Sequence, residues 1–206
     1  PVTVEVARQN ATADTVRQVV HMVGTERKRD GLIKVLKSRR NLGLSPQCIV
    51  FINSRIGCGK LASILDRSGI KAGAIHGDKS QIERMQILEA FKQGQIDVLV
   101  ATDVAARGLD IADMPCVINY ELPFNAEDYV HRIGRTGRSG KSGISYAFFS
   151  RDCYPMAKAL ISLLKKAGQE VPEELEEAQH EKPRKNFSGK RPGFNRSGSS
   201  YSGSDY

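Results

Sequence analysis

The chain has 206 residues, 40% of them apolar, and a formal charge of +8. That length suits one domain with tails, and no run of about 18 uninterrupted apolar residues occurs, which excludes a helix crossing a membrane. A basic balance favours an anionic partner, and the opening PVTVEVARQNATAD lacks the basic-then-apolar layout of a secretory signal. The cysteines Cys48, Cys58, Cys116 and Cys153 are far apart, with no C-x-x-C pair. That spacing argues against a zinc site, so no metal ligands are expected, and for reduced thiols in a cytoplasmic protein.

Residues 17–23 (RQVVHMV) read as a strand, and 26–39 (ERKRDGLIKVLKSR) as a helix with Leu32, Ile33, Val35 and Leu36 inward. Residues 47–52 (QCIVFI) form a short continuous apolar run, the mark of a strand covered on both faces. A helix over 59–69, a small strand over 72–75 and an amphipathic helix over 80–94 follow. Strands are expected over 96–101, 116–121 and 143–150, and helices over 125–134 and 156–168. Ser80 and Glu83 fit the S-x-x-E capping box, and Asn125 with Asp128 reads as an N-cap pair. The alternation predicts an α/β fold, a mostly parallel sheet with helices on both faces. Residues 169–178 read as a short helical extension.

From Gln179 the composition changes. Residues 179–206 hold ten Gly or Ser, two Pro, and six Lys or Arg against two acids. Such a segment buries too little apolar area to offset ordering entropy and is expected to be disordered. Its cations, interleaved with Phe187, Phe194, Tyr201 and Tyr206, suit sequence-tolerant contact with single-stranded nucleic acid; the alternative is a solvated tail.

The stretch GRTGRSGKS (134–142) invites comparison with a phosphate-binding loop, G-x-x-x-x-G-K-[ST] between a strand and a helix. Gly140-Lys141-Ser142 requires glycine at position 135, which is Arg135. The context is also reversed, with a helix before and a strand after. SRIGCGKLAS (54–63) fails too, with Ser54 in place of the first glycine and Leu61 in place of the magnesium ligand. As side chains, HRIGRTGR instead crowds His131, Arg132, Arg135 and Arg138 together, and guanidinium forks stabilise charge on a transferring phosphoryl group.

VATDVAARGLD (100–110) and YVHRIGRTGR (129–138) resemble two signature motifs of DEAD-box ATP-dependent RNA helicases. IVFINSR (49–55) and HGDKSQIERMQILEAF (76–91) resemble two earlier motifs, in the family's order. The resemblance covers about residues 1–165 and is to the second, C-terminal RecA-like domain; the basic Gly/Ser tail resembles bacterial helicase subgroup E. It implies a linker remnant over 1–16, the RecA-like domain over 17–168, the extension over 169–178 and the basic tail over 179–206. It also implies that ATP and its Mg2+ are held by an N-terminal RecA-like domain absent from this chain. Arg135 and Arg138 then correspond to arginine fingers, and His131 to a coupling residue. Asp110 and Gly108 correspond to ribose contacts, with Arg107 at the domain interface. Arg132 corresponds to a structural or interdomain residue. Ser54, Arg55, Gly77, Gln81, Arg84, Thr102 and Asp103 correspond to contacts with the RNA backbone. The implied partners are single-stranded or structured RNA, the N-terminal domain, and ribosome-assembly or RNA-decay proteins, with no membrane. The function implied is local duplex unwinding by the parent molecule. The alternative is a stand-alone RNA- or protein-binding module without ATP turnover.

Overall fold

A computed structural model of the chain describes residues 16–107, 109, 111, 113–137 and 142–180. Six strands lie in one parallel sheet: β1 (Val16–Met22), β2 (Cys48–Phe51), β3 (Ala72–Ile75), β4 (Val98–Ala101), β5 (Cys116–Asn119) and β6 (Gly143–Phe149). Their spatial order is β1-β6-β5-β2-β4-β3. The α-helices among the described residues are α1 (Lys28–Asn41), α2 (Arg55–Arg67), α3 (Gln81–Lys92), α4 (Asp103–Arg107), α5 (Ala126–Ile133), α6 (Tyr154–Lys166) and α7 (Glu173–Ala178). The expected α/β architecture, a RecA-like parallel sheet between helical layers, is the one observed.

The pleat sorts the core into layers. Cys48 and Val50 of β2 face Leu32 and Leu36 of α1 and Leu61 and Leu65 of α2. Ile49 and Phe51, one residue out of phase, face Phe91 of α3 and Ala105 and Ala106 of α4. β2 is buried along its whole length, which is why its sequence is continuously apolar rather than alternating. A third cluster joins Val16 and Phe149 to Tyr129 and Ile133 of α5 and to Leu160 and Leu164 of α6.

The order also fixes where the connections reverse. From β1 through β2 to β3 the chain steps one way across the sheet; from β3 through β4 and β5 to β6 it steps back. Right-handed crossovers therefore place α1 and α2 on one face and α3, α4 and α5 on the other, as the layers confirm. β2 sends its connection to one face, while its neighbours β4 and β5 send theirs to the other. The crevice at the carboxyl ends of these three strands is thus the topological switch point, where open α/β sheets bind ligands.

Most expected elements appear within a few residues of their predicted bounds. Two differ. α2 begins at Arg55 rather than at 59, because Ser54 caps it by accepting from the Gly57 N–H at 3.2 Å. The five-residue α4 was not foreseen, and follows β4 where the sequence reading assigned no element. The capping box at Ser80 is present, with Ser80 N–H donating to Glu83 at 2.8 Å and Glu83 N–H to the Ser80 hydroxyl at 3.2 Å. Asn125 caps α5 and accepts from the Asp128 N–H at 2.8 Å. The four cysteines are unbridged and buried. No helix among the described residues is long and apolar enough to cross a membrane. Of the linker expected over 1–16, residues 1–15 lie outside the described residues and Val16 opens β1; of the tail expected over 179–206, residues 181–206 lie outside them.

Candidate functional site

A side chain fills the switch-point crevice. Arg132 of α5 is 1% exposed, the largest side chain buried to that degree. Its Nε and Nη2 donate to the two carboxylate oxygens of Asp103, each at 2.7 Å. Nη1 donates to the Glu121 carbonyl at 2.6 Å and to Asn119 Oδ1 at 3.3 Å, and Nη2 also to Asn53 Oδ1 at 2.8 Å. Asn53 follows β2, Asp103 follows β4, and Asn119 ends β5. All five guanidinium N–H groups are therefore used, one fork spanning the three strand ends. The guanidinium also lies 5.0 Å from the Phe51 ring centre. A buried cation needs such saturation, and Arg132 has it without a ligand. The crevice that binds a nucleotide in many α/β sheets is plugged here by protein.

Nor does the Gly-Lys stretch at the start of α2 form a phosphate cradle. Gly57, Gly59 and Lys60 lie inside α2, where the N–H groups that should surround a phosphate serve the helix. In GRTGRSGKS, α5 precedes and β6 follows, while residues 138–141 lie outside the described ones.

The residues singled out for RNA gather along the carboxyl edge, beyond β2, β3 and β4. Arg55, in the first turn of α2, forms an exposed ion pair with Asp78. Gly77 is exposed, and a side chain there would meet only Arg55 Cδ, at 3.8 Å. Gln81 and Arg84 lie one turn apart at the start of α3, Gln81 exposed and Arg84 half-buried. Arg84 Nε is buried without a hydrogen-bond partner. Thr102 is buried; its N–H donates to the Ile75 carbonyl at 3.3 Å and its carbonyl accepts from Ala106 at 3.0 Å. Asp103 commits both carboxylate oxygens to Arg132, and Ser54 commits its hydroxyl to the cap. Their side chains are thus structural ties at the edge.

The residues singled out for phosphate chemistry lie toward the opposite edge. α5 runs back from Asn125, and the turn that follows it packs at the strands' amino ends: the Arg135 carbonyl accepts from Met114 N–H at 2.8 Å, two residues ahead of β5. Thr136 and Gly137 press against Gly143, the first residue of β6, where an added Cβ would come within 2.5 Å of Gly137 N. Gly137 itself has φ of 70°, the left-handed region that glycine favours. His131 is exposed and Arg135 half-buried. Arg107 ties the end of α4 to the first turn of α5 through an ion pair with Asp128. Gly108, Asp110 and Arg138 lie outside the described residues.

Sequence reasoning missed two features. Asn53 and Asn119, the neutral partners of Arg132, carry no sequence signature. Arg132 itself was expected as a structural or interdomain residue, and Tyr129, Arg132 and Ile133 share i, i+3, i+4 spacing and form the buried face of α5. The second feature is a set of exposed apolar side chains near the starts of α2 to α5: Ile56, Ile82, Met85, Val104 and Phe124, the last 87% exposed.

This sheet, with its plugged crevice and a basic turn behind it, has close counterparts. Residues 27–140 match the helicase conserved C-terminal domain family. The E. coli DEAD-box protein SrmB, solved bound to the regulator of ribonuclease activity A, superposes with a TM-score of 0.63 at 31% identity. The match covers 78% of this chain and 93% of that one. The chain belongs to the DEAD-box helicases and carries their C-terminal domain. A DEAD box protein from Methanococcus jannaschii gives a TM-score of 0.65 at 39% identity, over 76% of this chain and 41% of that one. The DEAD-box ATP-dependent RNA helicase 30 of Arabidopsis thaliana is 40% identical over 161 residues, which are 78% of this chain and 27% of that protein. The domain spans less than a third of the length of the curated relatives it matches, 22–31%.

Proposed function

We propose that this domain is the RNA-clasping, ATP-completing half of an ATP-dependent RNA helicase. In this reading Arg55, Gly77, Gln81, Arg84 and the backbone at Thr102 and Asp103 hold single-stranded RNA by its phosphates and sugars. Such contacts position a strand without reading its sequence. The observation that carries the reading is Arg84: a cation whose Nε is buried and unpartnered is short of one acceptor, and a phosphate oxygen supplies it.

ATP with Mg2+ belongs on an N-terminal RecA-like domain, since one Gly-Lys stretch here lies inside α2 and the other has Arg135 where the loop requires glycine. The residues of this domain that fit its phosphates are Arg135 and Arg138 as charge-stabilising fingers, with His131 coupling them to the other domain. Arg107, Gly108 and Asp110 would meet the interface and the ribose. A finger of this kind accounts for about 10³ to 10⁵ in rate where it has been measured. The basic tail supports loose RNA affinity and a place in bacterial subgroup E, alongside ribosome-assembly or RNA-decay proteins. The unbridged buried thiols support a cytoplasmic location.

The test is ATP hydrolysis with single-stranded RNA, by this chain alone and with a separately made DEAD-box first domain. Turnover confined to the mixture and lost in Arg135→Ala is the expected result. Turnover by the chain alone overturns the half-site reading. RNA binding with no turnover in either case favours a binding module.

A further inference from the structure

β1 is the outermost strand of the sheet, and its outer row of backbone groups faces no strand among the described residues. Along a parallel strand, alternate residues direct both N–H and C=O to opposite sides. Val23 N–H reaches the Phe149 carbonyl at 2.9 Å, so odd-numbered residues serve β6 while Val16, Gln18, Val20 and Met22 face outward.

One side chain already occupies two of those outward groups. Gln169 Nε2 donates to the Val16 carbonyl at 2.7 Å, and its Oε1 accepts from the Gln18 N–H at 2.6 Å. A primary amide presents the donor and acceptor of a peptide group, and bonding residues i and i+2 is what an added strand does. Gln169 is a one-residue stand-in for a seventh strand. Past it, the outward groups of Val20 continue along a groove between β1 and the α6–α7 connection, and those of Met22 lie two residues further along the strand. Gln18 supplies a second sign of an absent partner. It is 7% exposed, its Oε1 accepts from the Tyr129 hydroxyl at 3.0 Å, and its Nε2 is buried with no acceptor. The groove is acidic: Glu170, Glu173 and Glu174 line it against the single cation Arg17.

We propose that this edge docks an extended segment of the chain's own basic sequence, residues 182–188 (KPRKNFS). Charge and reach both point to it. Lys182, Arg184 and Lys185 oppose the three glutamates. α7 has six residues, so its end lies about 9 Å from the glutamates in its first turn. Four extended residues beyond His180 span about 13 Å and bring Arg184 back to that rim. Residues 184–188 contain neither Pro nor Gly, so every N–H is available for pairing, and five residues match the row from Gln18 to Met22. Docking here leaves the RNA-facing edge untouched.

The test is amide hydrogen exchange on the full chain, on the chain ending at His180, and on the full chain with Arg184→Glu and Lys185→Glu. The Val20 and Met22 amides should exchange several-fold faster in both altered chains. A synthetic peptide of residues 181–190 should restore protection to the shortened chain, and the same peptide with Asn186→Pro should not. Equal exchange in all three chains overturns the proposal. So does equal binding of the proline peptide, which shows charge attraction without strand pairing. Protection that rises with protein concentration assigns the edge to a second copy and overturns it too.

Discussion

Asp103 grips Arg132 with both carboxylate oxygens at 2.7 Å, joining the start of α4 to the last turn of α5 across the carboxyl ends of the strands. Arg132 is buried and Asp103 about a quarter exposed, so the pair is largely removed from water. Taking one member away leaves the other charge uncompensated, which costs about 3–5 kcal/mol in buried pairs. Arg132→Ala should therefore lower unfolding stability by about that amount in urea titrations. Arg132→Lys should recover only part of it, because three donors cannot replace five at fixed directions. An Arg132→Ala protein within about 1 kcal/mol of the parent would show that water fills the crevice at little cost.

Much of this scaffold is legible in the sequence because the signals are local. The runs around Ile49 and Leu99 are apolar on both faces, and Ser80 with Glu83 and Asn125 with Asp128 announce helix starts. The start of α2 was hidden by Gly57, ahead of the helix expected from Gly59, until Ser54 is seen capping it. α4 is too short for a periodic pattern. The roles of the four cations between His131 and Arg138 could not be separated by type. What distinguishes Arg132 is that Asn53 and Asn119, 79 and 13 residues away, converge on it. The use of Gln169 as an edge strand is equally non-local, since its partners lie more than 150 residues earlier.

Arg84 should behave as a phosphate contact. Arg84→Ala is expected to weaken single-stranded RNA binding similarly for all base compositions. It should also reduce the slope of log affinity against log salt by about one. Gln81→Ala should weaken binding while leaving that slope unchanged, since an amide releases no counterion. Fluorescence anisotropy at several salt concentrations checks both. A variant of Arg84 with the parent's affinity and slope removes it from the interface.

Gly143 tests the packing that holds the Arg135 turn. A Cβ there would lie 2.4 Å from Thr136 Oγ1 and 2.5 Å from Gly137 N, too close for either to stay. The backbone nitrogen cannot rotate away as a side chain can, so the turn must shift. Gly143→Ala should cost about 1–3 kcal/mol of stability, the range for forced overpacking. In the mixture with a first domain it should also reduce turnover at saturating RNA, leaving RNA affinity unchanged. Full turnover in a folded Gly143→Ala protein would show that the turn's position does not govern the chemistry.

The buried thiols predict an alkaline limit to stability. Burial pushes Cys116 up to about 12 and Cys58 up to about 11, from an ordinary value of 9.0, and pushes Cys48 well above it. Above pH 9 the unfolded chain releases these protons while the folded chain keeps them. The unfolded state then binds fewer protons, so stability falls as pH rises. The contribution is complete below pH 9 and is lost progressively up to the folded values, at about 1.4 kcal/mol per pH unit for a fully buried thiol such as Cys116. Urea midpoints should thus decline between pH 9 and about 11, and Cys116→Ala should flatten that decline relative to the parent. The same burial should keep all four thiols unreactive toward a disulfide reagent at pH 8 until the chain is unfolded. A Cys116→Ala protein whose midpoints fall with pH as steeply as the parent's would assign the alkaline limit to other groups, with Tyr129, also raised by burial, the next to test.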